Sequence, residues 1–160
     1  MLAMKLDKYF LNLAGEYRVC SEVLKRGVFA TITYGNMKGA DILVVGKNRK
    51  AAVIEVKASN SCRFVTGFYQ KYKTPDQDYP NFWVLYSVCE QNGEFIERFF
   101  VLTHAEMAKA QAQRNHPKKT LDYAERVKRA ARGVDNVILK DVDRYESRWD
   151  RILQYCNDPI

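Results

Sequence analysis

The chain is poor in residues that build closed metal sites. It has four cysteines and two histidines in 160 residues. No CxxC spacing and no nearby pair of histidines goes with them, which argues against a structural zinc site. The expectation for Cys20, Cys62, Cys89 and Cys156 is free, buried thiols in a reducing cytoplasm. Long apolar runs are missing as well: the uninterrupted stretches are strand-length, too short for a bilayer-spanning helix. Near the N-terminus Lys5, Asp7 and Lys8 break up the apolar stretch a signal peptide needs, so a cytoplasmic protein with no membrane partner is expected. There is no internal repeat, low-complexity run or convincing linker, and the length suits a single domain over 1–160 with a real core.

Acidic residues are outnumbered, 19 against 26 Lys and Arg, for a formal charge of +7. Nearly all of that excess falls between Lys109 and Arg132, where eight basic residues face only Asp122 and Glu125. A patch of this kind marks a phosphate-bearing partner or, equally well on charge alone, a solvated helix face.

The periodicity predicts a first helix at about Leu6 to Lys25, closed by Gly27. At ~100° per residue, Leu6, Tyr9, Phe10, Leu13, Tyr17, Cys20, Val23 and Leu24 share a face, with Arg18, Glu22 and Lys25 opposite. Glu16 is the exception, a carboxylate beside Leu13 and Cys20 that would point along the surface the helix covers. Three strands follow, Val28 to Tyr34, Ala40 to Val45 and Ala51 to Ala58, joined by "GNMKG" and "GKNRK". "FWVLYSV" and "RFFVL" predict two more, paired across "EQNGE". "THAEM" is a capping box (Thr103 with Glu106) opening a helix, a basic helix is expected near Leu121 to Arg132, and Asp143 with Glu146 predicts a second capping box before the last helix.

Charge inside this hairpin needs explaining, because an unpaired buried charge is costly. Asp41 lies on one strand, and Glu55 and Lys57 on the next. Alternation puts Glu55 and Lys57 on one face, ~7 Å apart, and adjacent strands can bring Asp41 beside Glu55. Glu16 can reach them from the packed helix. Carboxylates gathered on an apolar surface suit a hard divalent cation, and a lysine beside it can position the attacking water and balance developing charge. Taken singly, each has a blander reading: an exposed ExK ion pair, a turn-forming aspartate, the rim of an amphipathic helix.

In order, "GE" on the first helix, "GADILVV" and "AVIEVKAS" resemble the PD-(D/E)XK nuclease superfamily, which includes many type II restriction enzymes and archaeal Holliday-junction resolvases. The resemblance implies a restriction-endonuclease-like α/β (α+β) fold, a central mixed sheet flanked by helices with additional C-terminal helices. The nuclease core would lie at about 4–103 and a basic helical part at about 104–156. It implies Asp41, Glu55 and the Val56 carbonyl as ligands of Mg²⁺, with Mn²⁺ as a substitute, Lys57 as the catalytic lysine, and Glu16 touching metal or metal-bound water. Ala40 stands where the family's name has proline.

The expected function is a metal-dependent endonuclease acting on DNA. The alternatives are an RNA-cleaving relative and an inactive nucleic-acid-binding module of the same fold. Candidate nucleic-acid contacts are Lys118, Lys119, Arg126, Lys128, Arg129, Lys71, Lys73 and Ser59. The aromatics interleaved with Arg63, Lys71 and Lys73 suit base stacking, but core packing is the better expectation for them. With no separate recognition segment, a homodimer or a partner subunit is expected.

Overall fold

A computed structural model describes residues 7–34, 39–115 and 121–158. Helix α1 (Lys8–Lys25) starts where the Asp7 carboxylate accepts the Tyr9 N–H at 2.7 Å, and it gives way at Gly27, whose φ is +79°. Strands β1 (Phe29–Ile32), β2 (Ile42–Val45) and β3 (Ala51–Ser59) form the expected meander. After β4 (Arg63–Val65) and the one-turn helix α2 (Phe68–Lys71), β5 (Phe82–Gln91) and β6 (Glu94–Thr103) make a hairpin whose turn residues Asn92 and Gly93 both have positive φ, as a tight two-residue turn requires.

The main sheet runs β1-β2-β3-β5-β6, with β3 and β5 parallel and every other pair antiparallel. It is buried on both faces. On one, α1 and the C-terminal helix cover Ile54, Val56, Val84 and Val101; on the other, Trp83, Leu85, Phe100 and Leu102 meet Phe64, Phe68, Tyr69 and Tyr72.

The C-terminal part completes both faces. Thr103 and Glu106 cap α3 (His104–Asn115) reciprocally, at 3.3 and 3.0 Å. Helix α4 (Tyr123–Arg129) runs into a π-helical turn, Ala130–Val134. β7 (Asn136–Ile138) pairs with β4, α5 (Leu139–Val142) and a short 3₁₀ turn follow, and α6 (Asp150–Asn157) adds Ile152 and Cys156 to the α1 side of the core. None of these helices is long and apolar enough to cross a membrane.

Three sequence expectations fail. The buried stripe of α1 is Leu11, Gly15, Val19, Cys20 and Val23, while Tyr9, Phe10, Tyr17 and Leu24 are exposed. The reason is Gly15: a Cβ there would lie 3.0 Å from Ala58 Cβ and 3.2 Å from Tyr86 Cδ1, so α1 rests its backbone on β3 and turns its bulkiest side chains outward. Glu22 is therefore buried, not solvated, and is held by ion pairs to Arg18, Lys25 and Arg26. Asp143 and Glu146 form no capping box for the last helix. Both accept from Arg98 of β6, Glu146 at 2.7 Å through each oxygen, and α6 begins only at Asp150. Finally, Cys62 and Cys89 are exposed, against the expectation of buried thiols.

The close approach at Gly15 makes a direct prediction. Gly15→Val overfills the α1–β3 contact and should destabilise the protein by about 1–3 kcal/mol in urea denaturation. Unchanged stability would mean α1 can stand off from β3 at no cost.

Candidate active site

The strands bring the predicted charges to one place. Ile42 opposes Ile54 across β2 and β3, and the Asp41 N–H donates to the Ile54 carbonyl at 3.0 Å, so Asp41 lies opposite Glu55 just beyond the end of β2. There the ladder stops, and the Asp41 side chain takes over: its Oδ2 accepts the Val56 N–H at 2.7 Å. A strand residue's N–H and C=O point to the same side, so the Val56 carbonyl also faces this open edge.

Glu55 is 0% exposed, on the face opposite α1. Its Oε1 pairs with the Lys57 ammonium at 2.7 Å and with the Lys71 ammonium of α2, and its Oε2 accepts from the Tyr72 hydroxyl at 2.9 Å. Gly39 makes room for this: a Cβ would fall 2.6 Å from the Tyr72 hydroxyl, and its φ of +73° suits glycine. Burial pushes the Glu55 carboxyl up, but the two ammonium groups outweigh it and hold the pKa below its usual value. Lys57 is displaced upward, Glu55 overcoming the effect of burial. Lys71 moves the other way, lowered by burial and by repulsion from Lys57.

Glu16 comes from the opposite face. It does not lie beside Glu55 on the sheet, as expected, because α1 covers the face carrying Val56 and Ala58. It meets Asp41 only at the open edge, where Glu16, Asp41, Val56 and Lys57 line a cavity of about 310 Å³ whose rim carries Lys8 and Arg63. Desolvation and the Asp41 charge raise Glu16, with Lys57 opposing; desolvation and the Glu55 charge raise Asp41, against the Val56 N–H and both lysines.

These donors fit a hard divalent cation: two carboxylates and a backbone carbonyl reach one cavity, all of them oxygen, and each carboxylate is destabilised by the next. Among the described residues no three acidic, histidine or cysteine side chains form a ready-made cage. The geometry supplies the reason, since both Glu55 oxygens are already engaged by Lys57, Lys71 and Tyr72.

The nucleic-acid candidates separate. Lys71 sits on Glu55, a contact that sequence spacing across 16 residues gave no means of reading. Lys73 is exposed beyond α2. Ser59 is buried, and its hydroxyl donates to the Arg63 carbonyl at 2.6 Å, so it staples its own turn and is withdrawn from any phosphate. Lys128 is exposed on α4, Arg129 lies 3.4 Å from Glu125, and Arg126 is half-buried. Helix α4 is held to α2 by the Tyr123 hydroxyl, which donates to the Tyr72 carbonyl, so this basic helix stands on the Glu55 side of the sheet. Lys118 and Lys119 lie outside the described residues.

No family model matches the chain, and no curated protein matches it in sequence. Among solved structures it is similar to a bacterial homing endonuclease, I-Ssp6803I, over 94% of each chain, with a TM-score of 0.51 at 11% identity. The fold is endonuclease-like. At that identity the likeness concerns the fold, and the side chains of the site stand on the geometry given above.

The raised carboxylates carry a stability signature. An acid whose folded pKa is raised costs stability when ionised, and that cost fades as pH falls through the folded pKa. In EDTA, Asp41→Asn should melt higher than wild type at pH 7, at about 2–4 °C per kcal/mol relieved, with the difference shrinking on acidification. A lower Tm at pH 7 would show that Asp41 is not destabilised by its neighbours.

Proposed function

We propose that the chain is a metal-dependent endonuclease that hydrolyses phosphodiester bonds of DNA. One observation carries the reading: Glu16, Asp41, Val56 and Lys57 share a cavity where β2 stops short of β3, with Glu55 buried behind it and paired to Lys57. An endonuclease-like fold and a basic helix on the Glu55 side support it.

Mg²⁺ or Mn²⁺, held by Asp41, the Val56 carbonyl and Glu16, with Glu55 joining them once Lys71 gives way, would supply Lewis-acid stabilisation of the phosphate charge. The protein's own groups do the rest. Glu55 keeps Lys57 protonated and fixed, so that its ammonium can hold the attacking water and meet the negative charge that develops on the phosphate oxygens. Glu16 is placed to orient water at the cavity mouth. Lys8 and Arg63 on the rim, and Lys128 on α4, can hold the phosphate backbone.

The test is incubation with Mg²⁺ or Mn²⁺ and a panel of duplex DNA, branched DNA, single strands and tRNA. Metal-dependent cleavage of DNA is expected. Lys57→Ala should cut turnover by roughly 10²-fold or more while leaving metal-free binding within a few-fold, and Lys57→Arg should rescue little, because the planar guanidinium fork cannot take the place of the compact ammonium. Cleavage by Lys57→Ala at the wild-type rate would remove the site assignment; binding of DNA with no cleavage in any arm would leave the inactive-module reading.

A further inference from the structure

Beyond the carboxylate cluster, across the Tyr72 ring, lies a second cavity of about 290 Å³ that the proposed chemistry does not use. Its walls are aromatic: Phe68, Tyr69, Tyr72, Tyr79 and His104, with Arg126 of α4 at one side. Phe68 and Tyr79 both stack on the His104 ring, at 5.0 Å and 29° and at 4.1 Å and 16°. A ring offers one stacking partner per face, so the three form a continuous stack that ends in Tyr79, which is 56% exposed.

His104 serves this stack as a neutral ring. The Trp83 indole N–H donates to its Nδ1 at 3.1 Å, and burial lowers its pKa to about 4. Two polar groups face the cavity unanswered. Tyr69 is 1% exposed, and its hydroxyl has no hydrogen-bond partner among the described residues; neither does Arg126 Nε. Burial raises the Tyr69 pKa and the Arg126 guanidinium works against the rise, so the guanidinium stands close to the phenol, yet neither the hydroxyl nor Nε completes a hydrogen bond of good geometry. Buried polar groups left without partners are uncommon in folded proteins, and here both line an open space.

We infer that this cavity receives one unpaired nucleobase of the bound nucleic acid, stacked against Tyr79 and hydrogen-bonded on its edge by Tyr69 and Arg126. This rests on the nucleic-acid reading above and deepens it. A purely apolar occupant would leave the phenol and the guanidinium unsatisfied, whereas a base presents a π-face to the stack and carbonyl or ring-nitrogen acceptors to the two donors. The volume admits one heterocycle. The position fits as well: Tyr72 forms the wall between this cavity and Glu55, and α4, which supplies Arg126, also carries Lys128 and Arg129. A strand reaching the cluster would thus lay an unstacked base in the cavity. The substrate would be DNA with an unpaired base near the cleaved bond: a bulge, a branch or a single-stranded stretch.

The experiment uses the full chain in EDTA and DNA carrying 2-aminopurine, either unpaired in a bulge or within an intact duplex. The unpaired probe should be quenched on binding, and Tyr79→Ala should abolish the quench. Loss of one stacked base, about 1–3 kcal/mol, should weaken binding of bulged DNA by roughly tenfold, with fully paired duplex changed less than threefold. Arg126→Gln should act in the same direction. No quench, equal weakening of both DNAs, or no DNA binding would overturn the inference. Cleavage of paired duplex with Mg²⁺ is read in parallel: quench without cleavage removes the proposed chemistry and keeps the base site, and cleavage without quench does the reverse.

Discussion

A carboxylate with no access to water must be compensated where it stands, and Glu55 is the group around which this end of the molecule is arranged. Its compensation comes from three directions: Lys57 two residues along the same strand, and Lys71 and Tyr72 from the single turn of α2. That turn can deliver two adjacent donors because Phe68 and Tyr69 bury themselves against Trp83, anchoring α2 on the sheet. Gly39 has no side chain because Tyr72 needs the space. Removing one partner from a buried ion pair is far costlier than building it was worth, which explains why so much local structure converges on one side chain.

The compensation is uneven. Glu55 has two ammonium groups, whereas Asp41 and Glu16, sharing the open edge, are raised by burial, Glu16 further by the Asp41 charge and Asp41 further by that of Glu55. On the inner side two ammonium groups serve one carboxylate, while on the outer side Lys57 opposes, but does not cancel, the upward shifts of Asp41 and Glu16. A divalent cation at the outer side would redress that imbalance, and Glu55 could join its ligands only as Lys71 withdrew. Lys71 thereby holds in the metal-free protein part of the role a cation would take.

Much of this was legible from local pattern. The alternation in "ADILVV" and "AVIEVKAS", with turn-rich connections, specified a hairpin and so placed Asp41 opposite Glu55; "THAEM" specified its capping box, and both are present. What escaped was set by tertiary contact. The α1 stripe was misplaced because hydrophobicity counts Tyr9, Phe10 and Tyr17 as core, whereas the close approach at Gly15 turns them outward. The same rotation carried Glu22 inside. Asp143 and Glu146 had capping spacing, but Arg98, 48 residues from Glu146 in sequence, claimed both. Lys71 read as a candidate nucleic-acid contact because nothing in a one-turn helix reveals which strand it will face.

The most direct measurement is calorimetric titration of Mn²⁺ into the wild type, Asp41→Ala and Lys71→Met. The account predicts one site in the wild type and loss of binding in Asp41→Ala. It also predicts tighter binding in Lys71→Met, by about tenfold if the competing ammonium is worth ~1.4 kcal/mol. Equal affinity in Asp41→Ala and the wild type would contradict it.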